Sequence, residues 1–221
     1  VSVSMEVNGS PQYQEMLNFQ FKSYWQRESE IVTDRYDNEI SPTVKKIHEP
    51  HASFLIASNG YYNEPLMIYL EQGDNRVTIK STEGSLEFLS FSLLGKQAIQ
   101  ILNIENDPTE SVTGDFNLVS QGEEVYLQNS SSIRAGAAFN DALTPYDNEN
   151  RVLNFLDGAS YRYANDEIIY QLDIPADGYY FVSMNYQQDT KVDFPVFVNV
   201  KVNDEIASKS LLNQPLPYTT T

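Results

Sequence analysis

Residues 1–9 read Val-Ser-Val-Ser-Met-Glu-Val-Asn-Gly, and the pattern of this stretch decides the fold class. Val1, Val3, Met5 and Val7 alternate with Ser2, Ser4 and Glu6. A period of two places every apolar side chain on one face of an extended strand, and Asn8-Gly9 supplies turn residues at its end. The same grammar recurs outward along the chain. Residues 66–70 (Leu-Met-Ile-Tyr-Leu), then Gln72-Gly73-Asp74-Asn75, then Val77-Thr78-Ile79-Lys80 predict a strand, a tight turn and a returning strand. Residues 86–94 predict a further strand. In the second half Ile168, Tyr170, Leu172 and Ile174 alternate with polar residues up to Pro175-Ala176-Asp177-Gly178. Tyr180, Val182, Met184 and Tyr186 then alternate again, which predicts a hairpin. Pro175 ends its first strand for want of a ladder donor, and Asp177-Gly178 turns the chain. Val196, Val198, Val200 and Val202 complete the set, and the best helix candidates, 13–17 and 97–102, are short. The economical architecture is an all-β sandwich of antiparallel sheets.

The opening strand has a second copy. Val1, Val3, Val7, Asn8, Leu17 and Asn18 correspond at one constant offset to Val196, Val198, Val202, Asn203, Leu212 and Asn213. Alternating valines occur in any strand, but the Leu-Asn pair beyond the gap makes the match an internal repeat. The division that follows is 1–94 as the later part of one module, 95–122 as a polar connector carrying Asn106-Asp107-Pro108-Thr109-Glu110-Ser111, and 123–221 as the earlier part of a second module.

Composition bounds the function classes. The 221 residues are 41% hydrophobic with 15 Tyr and 11 Phe, enough apolar surface to offset the entropy of ordering. A net charge of −17 repels phosphate backbones and anionic membrane surfaces, which argues against nucleic-acid partners. With no Cys, disulfides, thiol nucleophiles and thiolate metal sites are excluded. No apolar run reaches the roughly 18–20 residues of a membrane span, so no direct membrane insertion is expected, and residues 1–5 lack the basic and apolar regions of a signal peptide.

The hairpin Ile174-Pro175-Ala176-Asp177-Gly178-Tyr179-Tyr180, followed by Met184-Asn185-Tyr186, resembles the galactose-binding-like jelly roll of many carbohydrate-binding modules. Ser131-Ser132-Ile133-Arg134, Leu143-Thr144-Pro145-Tyr146-Asp147, Leu153-Asn154-Phe155-Leu156-Asp157-Gly158 and Tyr61-Tyr62-Asn63-Glu64-Pro65-Leu66 extend the resemblance. They are similar to tandem modules at the front of large extracellular solute-binding lipoproteins of bacterial ABC transporters. The resemblance covers most of 1–94 and 125–213. It implies a noncatalytic, glycan-binding role at the cell surface, attached to the remainder of a larger solute-binding protein. It also implies an order of strands in which the second-half piece precedes the first-half piece. The two pieces are therefore expected to close one sandwich as a circular permutation, or to close two by strand exchange in a homodimer.

Oligosaccharides and polysaccharides are held by aromatic faces against pyranose C–H surfaces and by carboxylates, amides and Arg on the hydroxyls. The candidates are Trp25; Tyr61, Tyr62, Asn63 and Glu64 on a loop after Asn59-Gly60; Tyr161, Arg162 and Tyr163; and Arg134 and Tyr146. Tyr161 stands where many members of the resembled family have a Trp. The competing reading makes Trp25 a core residue, packs one ring of the Tyr161/Tyr163 pair, and makes Tyr146-Asp147, Arg134 and Asp157 turn residues and a structural ion pair. The resemblance also implies a structural calcium ion, for which Asp107, Glu110, Asp115, Glu123 and Glu124 are the nearest cluster, though no EF-hand loop occurs and the alternative is a solvated acidic face. His48-Glu49-Pro50-His51 lacks both a helical presentation and a third ligand for zinc. No nucleophile elbow, phosphate loop or dinucleotide fingerprint is present, and the acidic residues single out no glycosidase pair, so the chain is read as no enzyme. The rival function is a structural spacer or protein-interaction domain without sugar binding.

Overall fold

The computed structural model describes residues 1–48, 54–55, 65–95, 116–178, 180–203 and 211–219. The chain divides into two compact units, Val1–Ser90 with Leu118–Leu172, and Phe91–Asn117 with Asp173–Thr221. The strands of the first unit are β1 (Ser2–Val7), β2 (Phe19–Gln20), β3 (Trp25–Arg27), β4 (Val32–Thr33), β5 (Glu39–Ile40), β6 (Val44–Lys46), β7 (Val77–Glu83), β8 (Leu127–Gln128), β9 (Ala135–Gly136), β10 (Phe155–Leu156) and β11 (Ile168–Ile169). Those of the second are β12 (Val196–Val198) and β13 (Gln214–Leu216). Every pairing is antiparallel and the fold is all-β, as the alternation predicts. The short helix expected at 13–17 is a 3-10 turn, Gln14–Leu17, and the one expected at 97–102 lies outside the described residues.

β1 is the centre of a three-stranded sheet of order β2-β1-β7. Its Val3, Met5 and Val7 join Met16 and Phe19 in a core where each side chain is at most 4% exposed. The returning strand β7 sets Ile79 opposite Met5 and Val77 opposite Val7. The turn into it is latched by Asn8, whose positive φ of 52° is a conformation Asn tolerates. The Asn8 N–H donates to the Arg76 carbonyl at 2.8 Å, and the Arg76 N–H donates to Asn8 Oδ1 at 2.9 Å. Asn8 Nδ2 also donates to Asn75 Oδ1 at 3.1 Å.

Residues 66–70 depart from the predicted strand. Leu66, Ile68 and Leu70 do pack against the core, with Met67 and Tyr69 exposed between them. Among the described residues the Leu66 N–H donates to the Leu55 carbonyl at 2.8 Å but no ladder follows, and at Tyr69 a side chain takes the partner's place. Gln12 Nε2 donates to the Tyr69 carbonyl at 2.6 Å and the Tyr69 N–H donates to Gln12 Oε1 at 2.9 Å, the two bonds a facing strand residue would make.

A second sheet of order β11-β8-β3-β6 joins the two sequence segments of this unit, with Trp25 opposite Gln128. The Glu39 N–H donates to the Arg151 carbonyl at 2.8 Å, the Leu153 N–H to Glu39 Oε2 at 2.6 Å, and Lys22 pairs with Glu167 at 2.6 Å. Tyr24, Val125, Ile133, Ala135 and Leu153 are buried in this part of the unit.

In the second unit β12 pairs with β13. Gln188 is buried and gathers the chain around it: its Nε2 donates to the Lys191 and Phe194 carbonyls, its Oε1 accepts from the Thr190 and Lys191 N–H groups, and Thr219 bonds its backbone. The hairpin predicted over 168–186 does not form among the described residues. Only Ile168–Ile169 enters a ladder, and Leu172, Ile174, Val182 and Met184 are 42–62% exposed. Alternation specifies a face but supplies no hydrogen-bonding partner, and among the described residues none pairs with these positions. The strand predicted at 86–94 is likewise without a ladder, with Leu89 73% exposed.

Candidate functional site

β3 and β6 carry Arg27 and Val44 to the wall of a small cleft, whose enclosed space of about 10 Å³ has room for about one water. β8 and the chain on either side of it bring Glu123, Val125, Gln128 and Arg134, and β10 adds Leu156. Apolar Val44, Val125 and Leu156 thus line the same space as Arg27, Arg134 and Glu123.

Glu123 is the group with unsatisfied chemistry. Its side chain is buried at 3% exposure, and its Oε2 has no hydrogen-bond partner among the described residues. Burial pushes its carboxyl above the ordinary glutamate range, a shift that its own backbone N–H and the Arg27 charge oppose and Glu124 and Glu39 reinforce. Tyr170 lies in the same field. Its hydroxyl donates to the Gly122 carbonyl at 2.8 Å and is pushed up to about 12, mainly by burial, with Tyr161 and Glu123 adding to the rise.

Two other polar side chains of the cleft have hydrogen-bond partners. Gln128 is buried, and its Nε2 donates to the Ser130 and Ile133 carbonyls at 2.7 Å each, which fixes the loop before β9. Arg134 stands at the rim, its side chain two-thirds exposed, with Nε donating to Asp157 Oδ2 at 3.2 Å. Asp157 is itself anchored by a turn in which its carbonyl accepts from the Ser160 hydroxyl at 2.7 Å.

The sequence candidates distribute as follows. Trp25 is half-buried in β3, with Lys46 Nζ 5.9 Å from its ring centre. Tyr161 is half-buried, its hydroxyl raised by burial and by Asp166 and Glu167. Tyr163 is 63% exposed, with the Arg162 guanidinium 5.2 Å over its ring and Nη2 donating to its hydroxyl at 3.1 Å. Asp166 holds this pair by accepting from both backbone N–H groups. Tyr146 is exposed beside a loop pinned by buried Asn154, whose Nδ2 donates to the Ala138 and Pro145 carbonyls. Tyr61, Tyr62, Asn63 and Glu64 lie outside the described residues. Of the candidates, Arg134 lines the cleft. Arg27 and Glu123 were not among the sugar-binding candidates; the signal for Glu123 was an acidic residue two positions before an apolar one at the start of a buried segment, which is too common to single out.

The calcium reading lacks a donor set here. Asp107, Glu110 and Asp115 lie outside the described residues, and Glu124 Oε2 accepts from the Gln121 N–H at 3.2 Å. No group of three or more acidic or His side chains converges among the described residues, so Glu123 and Glu124 alone do not fit the six to eight oxygens calcium takes. Of the histidine motif, His48 is described and His51 is not.

Comparison with family models, with curated proteins and with solved structures finds no match for this chain.

Proposed function

We propose that the chain is a noncatalytic carbohydrate-binding module of an extracellular bacterial protein, built on the galactose-binding-like jelly-roll plan and serving sugar capture or uptake. The observation that carries this reading is the cleft beside β3. Arg27 and Arg134 donate, Glu123 accepts, and Val44, Val125 and Leu156 offer apolar surface, the combination a sugar ring presents in reverse. The net charge of −17 favours neutral over acidic glycans.

The test is a panel of neutral and acidic polysaccharides, with hydrolysis products assayed alongside. Saturable binding to neutral glycans without products, weakened in Arg134→Ala and in Glu123→Gln, is the expected result. No binding across the panel would overturn it in favour of a structural or protein-interaction module. That second reading draws on one feature of the second unit, where Phe181, Phe194 and Phe197 are exposed at 107%, 72% and 60%.

A further inference from the structure

The repeat read from the sequence is also a repeat of geometry. β1 pairs with β2 so that Ser2 faces Gln20 and Val3 faces Phe19. β12 pairs with β13 so that Phe197 faces Pro215 and Val198 faces Gln214, which is the same register at the same constant offset. Asn8 and Asn203 follow their strands at equivalent positions, and both adopt the left-handed conformation, at φ 52° and 51°. Leu211 occupies the position of Met16, and its carbonyl accepts from the Val200 N–H at 2.8 Å.

The two copies differ in what covers them. In the first, Val3, Met5 and Val7 are sealed by Leu66, Ile68 and Leu70 and by Val77 and Ile79 of β7, and Asn8 latches the turn between those segments. In the second, the equivalent Val198 and Val200 are half-buried, Val202 is 47% exposed and Leu211 is half-buried where Met16 is fully buried. Among the described residues no third strand joins β12 and β13, and Asn203 is exposed with its latch conformation already set.

We propose that the Val198/Val200/Val202 face and Asn203 form a docking site for an extended segment with the pattern of this chain's own residues 66–83, as a further repeat of the module supplies. The chemistry of the occupant follows from the first copy. It carries apolar residues at alternate positions on either side of a turn, and an Asn-Arg step whose backbone carbonyl and N–H meet the Asn203 backbone and side chain. Register is set at both ends, by the valines through their spacing and by Asn203 through the latch. A segment without the turn would cover the valines yet leave the latch unmade, so the site selects for the whole pattern.

The test uses the full chain and a synthetic peptide of residues 65–84, Pro-Leu-Met-Ile-Tyr-Leu-Glu-Gln-Gly-Asp-Asn-Arg-Val-Thr-Ile-Lys-Ser-Thr-Glu-Gly. Saturable binding is expected, with amide exchange over 197–202 slowed by about tenfold or more. A peptide with Ile79→Asp should not bind. Asn203→Ala should weaken binding about tenfold by removing the side-chain latch bonds, and Asn203→Gly, which adopts the positive φ of 51° without strain, should weaken it equally. Val200→Asp should abolish binding, and a circular-dichroism melt of each variant separates loss of the site from loss of the fold. The proposal is overturned if exchange over 197–202 is unchanged, or if the peptide binds Asn203→Ala as tightly as the unaltered chain. It is equally overturned if the chain self-associates through this face and the peptide merely competes, since the occupant is then a second copy.

Discussion

Replacing Glu123 by Gln should make the protein more stable at neutral pH and less able to bind. The carboxylate is 3% exposed and its Oε2 makes no hydrogen bond, so its charged form is held in a place that solvates it poorly. Gln keeps the shape and removes the charge. An unsatisfied buried polar group costs about 1–3 kcal/mol, more when charged, so relief of about 1–2 kcal/mol is expected. For a domain of this size each kcal/mol moves the melting temperature by about 2–4 °C, giving a rise of about 4 °C. The pH dependence gives the sharper check. Because the folded pKa of Glu123 lies above its unfolded value, the penalty is fully present above the folded pKa, shrinks as pH falls through it and is absent below the unfolded value. The advantage of Glu123→Gln should therefore be greatest near pH 7 and vanish near about pH 4. Asp34 and Asp147 pull the other way. Backbone N–H groups, from Tyr36 and Asn150 first, hold their carboxyls below the usual range, so their stabilisation is lost as pH falls below the ordinary Asp value. Both proteins share that loss, and the difference between their calorimetric melts cancels it. A variant that melts lower at neutral pH, or one whose offset is the same at every pH, would refute the reasoning.

Other substitutions probe the scaffold. Asn8→Ala loses two side-chain hydrogen bonds and leaves at φ 52° a residue that tolerates it less well than Asn, a cost of about 2–3 kcal/mol in urea unfolding, and Asn8→Gly should recover the backbone part. Met16→Ala, at a site with 0% exposure, should cost about 2–5 kcal/mol, whereas Met16→Leu should cost less than about 1.5 kcal/mol. Asn154→Ala leaves the Ala138 and Pro145 carbonyls unpaired and should speed amide exchange at Ala138 while costing about 2–3 kcal/mol. Tyr163→Ala should stay within about 0.5 kcal/mol of the unaltered protein, since that ring is 63% exposed, so any change in glycan binding would report on the ligand alone.

What could be read in advance depended on the length of each pattern. Residues 1–9 hold four apolar positions in strict alternation, and β1 forms where they predict it. The turn at Asp74-Asn75 and the strand from Val77 were equally legible, because turn and strand signals sit together, but that strand pairs with β1 and not with residues 66–70. Residues 66–70 were legible as a buried face but not as an isolated segment, since nothing in a local pattern announces that Gln12 will serve as the neighbouring strand. The 168–186 stretch misled because its alternation carries no information about what pairs with it. The cleft was the least legible part. Arg27 ends a three-residue strand, Glu123 sits in a turn and Arg134 just precedes a two-residue strand, so no period shows, and the three come from segments far apart in the chain.

The side-chain amide of Gln12 also bears on how molecules of this protein behave when crowded. A strand that satisfies its neighbour leaves its own outer N–H and C=O groups on offer, so each added strand is a template for another. An amide on a flexible stem closes the account at Tyr69 and offers no second row. Gln12→Val would return the Tyr69 N–H and carbonyl to solvent, where an incoming chain can read them, and light scattering at high concentration should rise with no change in the fold of the single molecule.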